Sequence, residues 1–331
     1  MSDRLPLPPL PLLDGTTLQV SSSSLSTMQA CPMMAAWKML WKRQPAGASM
    51  AADAGKAFHA ALQARSEGRQ QVFGETEYCL AAKALTDAYE SIQVPDDDYR
   101  TGTRMLEVLD AYRAEYPSDP WNVLATEMPF AVPLGQVELC RWVPFETPTI
   151  DIVYRGLIDL LVEQDGAVFV VDRKTSAEWS PMTLNRYRQS AQFRSYAWVV
   201  QELHRTGLVP ELPATVHGAL VDAIVIRKPS TSTRATKPRE EFHRERFYYD
   251  QATLAEWRTN ALGIVRSWLQ QYADGRFTMN DQTCANHYGR PCGYLTTCEL
   301  PVEHRLTMLS TDVFTDVVPG PLDQPANEPA L

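Results

Sequence analysis

The chain has 331 residues, 44% of them hydrophobic and 21% charged, with 31 Lys and Arg against 40 Asp and Glu and a net charge of −9. That is enough apolar chain for a sizeable core, which excludes a disulfide-stapled miniprotein and a disordered polymer. No stretch approaches the roughly eighteen unbroken apolar residues of a membrane span. The opening Met1-Ser-Asp-Arg-Leu-Pro lacks signal-peptide character, so a cytoplasmic protein without membrane association is expected. The acidic balance argues against a wholly basic nucleic-acid binder, yet allows local basic patches and an acidic metal site. Six Cys in such a chain suggest ligands or buried thiols rather than disulfides.

Residues 1–20, rich in Pro and Leu, read as a flexible arm. Ser26 or Thr27 can cap a helix reaching about Arg43, and helices near 51–66, 76–93 and 98–115 make the N-terminal third helical. The period then shortens to two, and 122–132, 136–145, 151–163 and 167–173 read as strands, with Pro129 weakening the first. A helix near 182–205, a strand at 216–227, an exposed loop at 228–239, a strand near 241–249 and a helix near 251–273 follow. Residues 301–331, with five acids and one Arg, read as a disordered acidic tail. The expectation is an α+β chain with one folded domain over 21–300.

Asp165-Gly166 is a strong hairpin turn signal. With these two at the turn positions, Gln164 faces Ala167 and Asp159 falls opposite Asp172, their Cβ atoms roughly 4.5–5.5 Å apart. Two carboxylates facing each other among Leu157, Leu161 and Val170 repel, and a divalent cation between them would relieve that cost. The period of two also sets Lys174 on the face of Asp172. Carboxylates that hold Mg²⁺ or Mn²⁺, with an ammonium beside them, are what phosphodiester hydrolysis needs. A solvated hairpin with an ordinary Asp172–Lys174 surface pair is the bland alternative.

Four ordered pieces resemble the PD-(D/E)XK nuclease superfamily, in its RecB-like and phage exonuclease-like branch. Gly55-Lys-Ala-Phe-His59 is similar to G-x-x-x-H, Gly156-Leu-Ile-Asp159 to G-x-I-D, Asp172-Arg-Lys174-Thr175 to D-x-K-T, and Gln192-Phe-Arg-Ser-Tyr196 to Q-x-x-x-Y. The resemblance implies a restriction-endonuclease-like core, a central mixed sheet flanked by helices. It implies that His59, Asp159 and Asp172 ligate the metal with the Arg173 carbonyl, that Lys174 is the catalytic lysine, and that Gln192 and Tyr196 line the active site or touch DNA. Read without it, His59 and Tyr196 are core residues and Gln192 lies on the surface. Glu127 is a further candidate carboxylate, or a solvent-facing one.

One N-terminal and three C-terminal cysteines, Cys31, Cys284, Cys292 and Cys298, match the arrangement of iron–sulfur nucleases in this superfamily. The resemblance implies a [4Fe–4S] cluster that staples the two ends of the domain. Zn²⁺ or four free thiols are the alternatives, with His287 as a spare ligand. Cys79 and Cys140 read as small buried hydrophobes. The basic run 227–246, with seven Lys or Arg against three acids, and Lys38, Lys42, Arg43, Arg186, Arg188 and Arg194 are candidate phosphate contacts of low sequence specificity. The expected activity is a metal-dependent DNA nuclease, as an exonuclease in end processing, recombination, repair or phage replication, with a recombination or replication protein as partner. A non-catalytic nucleic-acid-binding subunit and a zinc-stapled module are the rival readings.

Overall fold

The computed structural model of the chain describes residues 5–47, 49–71, 75–139, 148–229, 239–285 and 290–317, without the side chains of 69–71 and 75–77. Two short strands open it, β1 (Leu12–Leu13) and β2 (Thr17–Val20), followed by α1 (Ser22–Ala30), α2 (Pro32–Met39) and β3 (Arg43–Pro45). The expected loose arm is therefore ordered in its second half. Leu18 and Val20 are buried, and the alternation of Thr17-Leu-Gln-Val20 is that of a strand with one buried face. The expected first helix is two. Its cap is Ser21 rather than Ser26 or Thr27, through a reciprocal pair of hydrogen bonds between Ser21 and Ser24. Pro32 has no N–H and holds the preceding Cys31 in an extended conformation, φ −160°, which breaks the helix.

Next come α3 (Met50–Gln71), α4 (Glu75–Tyr89), α5 (Gly102–Glu115), β4 (Asn122–Glu138), β5 (Thr149–Gln164) and β6 (Ala167–Ser176). The expected strands at 122–132 and 136–145 are one strand as far as Glu138, and residues 140–147, Cys140 among them, lie outside the described residues. Then follow α6 (Pro181–Arg188), α7 (Ala191–Arg205), β7 (Gly218–Ile226), β8 (Glu240–Tyr248) and α8 (Gln251–Ala273). The helix expected over 182–205 is interrupted before α7 by Ser190, which is extended at ψ 120°. The chain ends in α9 (Asp281–Ala285), α10 (Leu295–Glu299), α11 (Val302–Leu309) and β9 (Phe314–Asp316). The expected disorder of 301–331 thus gives way to structure as far as Val317, because β9 pairs with β3. Residues 318–331 lie outside the described residues.

The chain divides into two compact units. The first comprises Met1–Gly47, Pro129–Gly156 and Ala255–Leu331. In it, β1 is antiparallel to β2, and β2 runs parallel to β5 from Thr17↔Asp151 to Val20↔Tyr154. The second comprises Ala48–Met128 and Leu157–Leu254. Its sheet is mixed: β5 and β6 are antiparallel, β6 and β7 parallel, β7 and β8 antiparallel. The parallel β6–β7 step needs a crossover, which α6 and α7 supply. Helices α3, α5 and α7 pack on this sheet, giving the expected central mixed sheet flanked by helices.

Every residue of β7 is buried, which marks it as an interior strand covered on both faces. One layer of core joins Phe58 and Leu62 of α3, Leu85 of α4 and Met105 of α5 to Ile224 of β7. A second joins Leu160, Val162, Phe169, Val171 and Leu220. A buried cation holds β8 in place. The Arg244 guanidinium donates to Asp119 at 2.5 Å, to Tyr112 at 2.8 Å and to Asp222 at 3.3 Å. It also lies over the rings of Tyr116, at 3.7 Å, and Trp121, at 4.3 Å. These charges raise the Arg244 pKa further despite burial.

Candidate active site

The hairpin forms with the expected turn. Asp165 and Gly166 both have positive φ, 55° and 76°, the requirement of a tight two-residue turn that Asp-Gly meets at low cost. Gln164 faces Ala167, and the pairing continues to Leu160↔Val171. Asp159 and Asp172 occupy the next position in this register, one step beyond the last ladder pair.

Each acid has its own partners. Asp172, almost fully buried, lies 2.6 Å from the Lys174 ammonium. Its other oxygen accepts from Gln192 at 3.1 Å. Gln192, one turn from Tyr196 at the start of α7, also donates to the Tyr196 hydroxyl at 3.0 Å and accepts from Lys174 at 3.2 Å. Asp159 accepts from the Arg173 main-chain N–H at 3.4 Å and lies 3.4 Å from the His59 ring. His59 hydrogen-bonds the main chain of Arg173 as well. Helix α3 therefore brings His59 to the end of the hairpin, and α7 brings Gln192 and Tyr196 to its lysine.

The motif glycines mark close approaches. A Cβ on Gly55 would lie 3.0 Å from the Thr175 hydroxyl, so the helical motif meets the strand motif here. In the first unit, a Cβ on Gly156 would fall 2.6 Å from the Phe130 ring.

Burial pushes the Asp172 carboxyl up, with Asp159 adding to the rise and Lys174 opposing it. Burial lowers the Lys174 ammonium, but the Asp172 carboxylate more than reverses this and leaves its pKa raised. Burial also lowers His59, with Asp159 opposing. Glu127 is raised to about 7, by partial burial first and then by Asp159, with Arg173 opposing and Glu67 adding. Its backbone is left-handed, φ 44°, a conformation that non-glycine residues seldom adopt and that departs from the strand around it.

Some features carried no sequence signal. The Arg173 side chain, between the two motif residues, turns inward and donates to Ser66 at 2.6 Å. Trp179 stacks on His243 at 4.3 Å and on Tyr187 at 6.0 Å, and Tyr187 is within electrostatic reach of Lys174. Several candidate phosphate contacts are engaged internally: Arg43 with Asp316 and three carbonyls, Arg227 with Glu241, Arg194 with Gln189 and Arg244 as above. Arg186 and Arg188 are exposed, and residues 230–238 lie outside the described residues.

The cysteines gather in the first unit. The Asn280 amide and the Thr283 hydroxyl both donate to Ala30, at 2.9 Å, which fastens Cys284 beside Cys31. The Cys292 N–H donates to the Cys284 carbonyl at 2.9 Å. Burial raises the Cys298 thiol to about 11, with Trp37 opposing and Cys31 and Cys284 adding. Burial, Cys31 and Cys292 raise Cys284. All four are free thiols. Cys79, expected to be buried, is exposed, and His287 lies outside the described residues. Among the described residues no three His, Cys, Asp or Glu side chains stand close enough together to bind one metal ion, and no helix is long and apolar enough to cross a membrane.

A family model of the PD-(D/E)XK nuclease superfamily matches residues 19–299. The chain belongs to the PD-(D/E)XK nuclease superfamily. No curated protein matches it. The protein SSO0001, known from a crystal structure, is similar over 74% of this chain and 76% of its own at 11% identity, with a TM-score of 0.27, too low to carry an argument. Members of the superfamily are usually nucleases that use Mg²⁺ or Mn²⁺.

Proposed function

We propose that the protein is a metal-dependent deoxyribonuclease of the RecB-like kind that degrades DNA from its ends. The observation that carries this reading is the connected set Asp172, Lys174 and Gln192, with Asp159 and its partner His59 beside it at the end of the hairpin. An ammonium held 2.6 Å from a buried carboxylate by a bridging amide is a costly arrangement with no need of so many partners on structural grounds alone.

The donors are right in kind for a hard divalent cation, with Asp159 and Asp172 as carboxylate ligands and His59 as the imidazole. Asp159 lies close enough to raise both Glu127 and Asp172, so negative charge is left for a cation to neutralise. A bound Mg²⁺ or Mn²⁺ would supply Lewis acidity and lower the pKa of a coordinated water. Lys174, kept protonated by Asp172, places positive charge where the phosphoryl oxygens gain negative charge. Gln192 fixes its position, and Tyr196 fixes Gln192.

Cys31, Cys284, Cys292 and Cys298 would hold a [4Fe–4S] cluster in the first unit. Four free thiols, of which Cys284 and Cys298 are raised in part by the other cysteines, fit a four-thiolate cofactor, whose binding would release their protons. Visible absorbance with an iron-to-sulfide assay on anaerobically purified protein tests this, and zinc without iron would replace the cluster by the zinc alternative.

The activity is tested on end-labelled single- and double-stranded DNA, with Mg²⁺, Mn²⁺ or EDTA, comparing wild type with Lys174→Ala. Metal-dependent cleavage that the variant lacks supports the reading, and the product ladder gives polarity. DNA binding without cleavage by the wild type would refute it in favour of a non-catalytic subunit.

A further inference from the structure

Tyr187, on the last turn of α6, stands in a row of stacked rings in the second unit. Its ring stacks on Trp179 at 6.0 Å and on Phe193 at 6.1 Å. Both neighbours are themselves stacked, Trp179 on His243 at 4.3 Å and Phe193 on Phe247 at 6.2 Å. Ring contacts at this spacing are favourable and orient each partner. The row is anchored in the core, where Phe193 and Phe247 are buried. Phe193 also follows Gln192, whose amide touches both Asp172 and Lys174. The stack therefore fixes Tyr187 against the turn of α7 that serves the site.

Phenylalanine would serve the stack equally well, as Phe193 and Phe247 do. The hydroxyl has another use. Tyr187 is half-buried, and a tyrosine hydroxyl withdrawn from water ordinarily finds a partner. This one makes no hydrogen bond among the described residues. The charges around it are those of the site, Lys174 and Asp172, with Arg186 beside it on α6. Burial raises its pKa, with Lys174 opposing, Asp172 adding and Arg186 opposing, so it keeps its proton at neutral pH and remains a donor. Arg186 and Arg188 are exposed and α6 contains no acid, so this turn attracts a phosphate backbone.

We propose that the Tyr187 hydroxyl donates to a non-bridging oxygen of the phosphate that is cleaved, beside the Lys174 ammonium. This assignment rests on the nuclease reading and adds a substrate contact to it. During attack the phosphoryl oxygens gain negative charge, so a neutral donor held in place by stacking strengthens its bond as the reaction proceeds and needs no reorganisation. Lys174 supplies charge at the same phosphate, and Tyr187 supplies direction.

The test uses the full chain and single-turnover cleavage of an end-labelled oligodeoxynucleotide in Mn²⁺. Tyr187→Phe keeps the ring and removes only the hydroxyl. Its rate constant is expected to fall about tenfold, the value of a hydrogen bond to a charged acceptor, with the thermal midpoint unchanged. A single phosphorothioate, each diastereomer in turn, is then placed at the first bond cut. Sulfur accepts hydrogen bonds poorly, so one diastereomer is expected to slow the wild type more than the other, and Tyr187→Phe is expected to lose most of that difference. A purely structural hydroxyl would leave the difference as it is. A wild type that cleaves while Tyr187→Phe matches its rate overturns this assignment alone, as does a slowed variant that keeps the full diastereomer difference. A wild type that binds DNA without cleaving it overturns the nuclease reading and this contact with it.

Discussion

Glu127→Gln isolates the electrostatic cost of the acid cluster. The substitution keeps the shape and backbone conformation of the side chain and removes one charge. In the folded chain the Glu127 carboxyl is raised from 4.5 to about 7, by partial burial and then by Asp159. That rise corresponds to about 3 kcal/mol at full strength. Glu127 is only half buried, so solvent screening reduces it to ~1–2 kcal/mol. The sign follows from proton counting. Between pH 4.5 and 7 the folded state binds more protons than the unfolded one, so wild-type stability falls across this window as pH rises, and the penalty is complete above pH 7. The variant escapes it. Urea unfolding in EDTA is expected to show the variant ~1–2 kcal/mol more stable than wild type at pH 8 and equal to it at pH 4. Excess Mg²⁺ is expected to narrow the gap at pH 8, because a cation that neutralises the acids stabilises the wild type more. An advantage absent at pH 8, or equal at both pH values, would refute the reasoning.

Three further outcomes follow from other contacts. Arg244→Met removes the cation that Asp119 and Asp222 share and is expected to cost ~3–5 kcal/mol in urea unfolding, most of it recovered when both acids are also changed to Asn. Gly156→Ala drives a Cβ to 2.6 Å from the Phe130 ring and is expected to destabilise by ~1–3 kcal/mol; if Phe130→Leu does not relieve this, the ring is not the obstacle. Gln192→Leu removes the bridge between Asp172 and Lys174 and is expected to lower the DNA cleavage rate ~10–100-fold, the value of a hydrogen bond to charged partners. Its thermal midpoint should stay within a few degrees of wild type, and unchanged cleavage would remove Gln192 from the site.

The hairpin was legible because its determinants are local. An Asp-Gly turn between two apolar runs sets the register, and the register sets which acids are opposed. The joining of His59, Gln192 and Tyr196 to that hairpin was legible only through the family motifs, because helix-to-strand packing leaves no periodic trace. Errors fell where local rules compete. Continuous apolar character suggested one helix over 26–43, but Pro32 overrides it and sets Cys31 at the break. The short strands β2 and β9 lack the length that gives a clear alternation, so both ends of the chain read as loose. The left-handed Glu127 and the inward turn of Arg173 onto Ser66 depend on tertiary contacts alone. Composition likewise does not reveal that two members of the basic run, Arg227 and Arg244, are paired with acids.

The placing of the two aspartates explains how the site tolerates its charge. Inside a regular ladder, facing carboxylates would be held roughly 4.5–5.5 Å apart at their Cβ atoms without room for separate partners. The ladder between β5 and β6 stops at Leu160↔Val171, and beyond it each acid turns to its own donors. Asp172 takes Lys174 and Gln192, while Asp159 takes the Arg173 N–H and His59. Glu127 is treated differently. Its electrostatic neighbours are Asp159 and Glu67, opposed by Arg173, and its pKa rises furthest into the neutral range. The unbalanced negative charge therefore lies on the Asp159–Glu127 side of the cluster. On the nuclease reading, this is the side where a divalent cation gains most, and where Glu127→Gln should alter metal-dependent stability while leaving the Asp172–Lys174 pair intact.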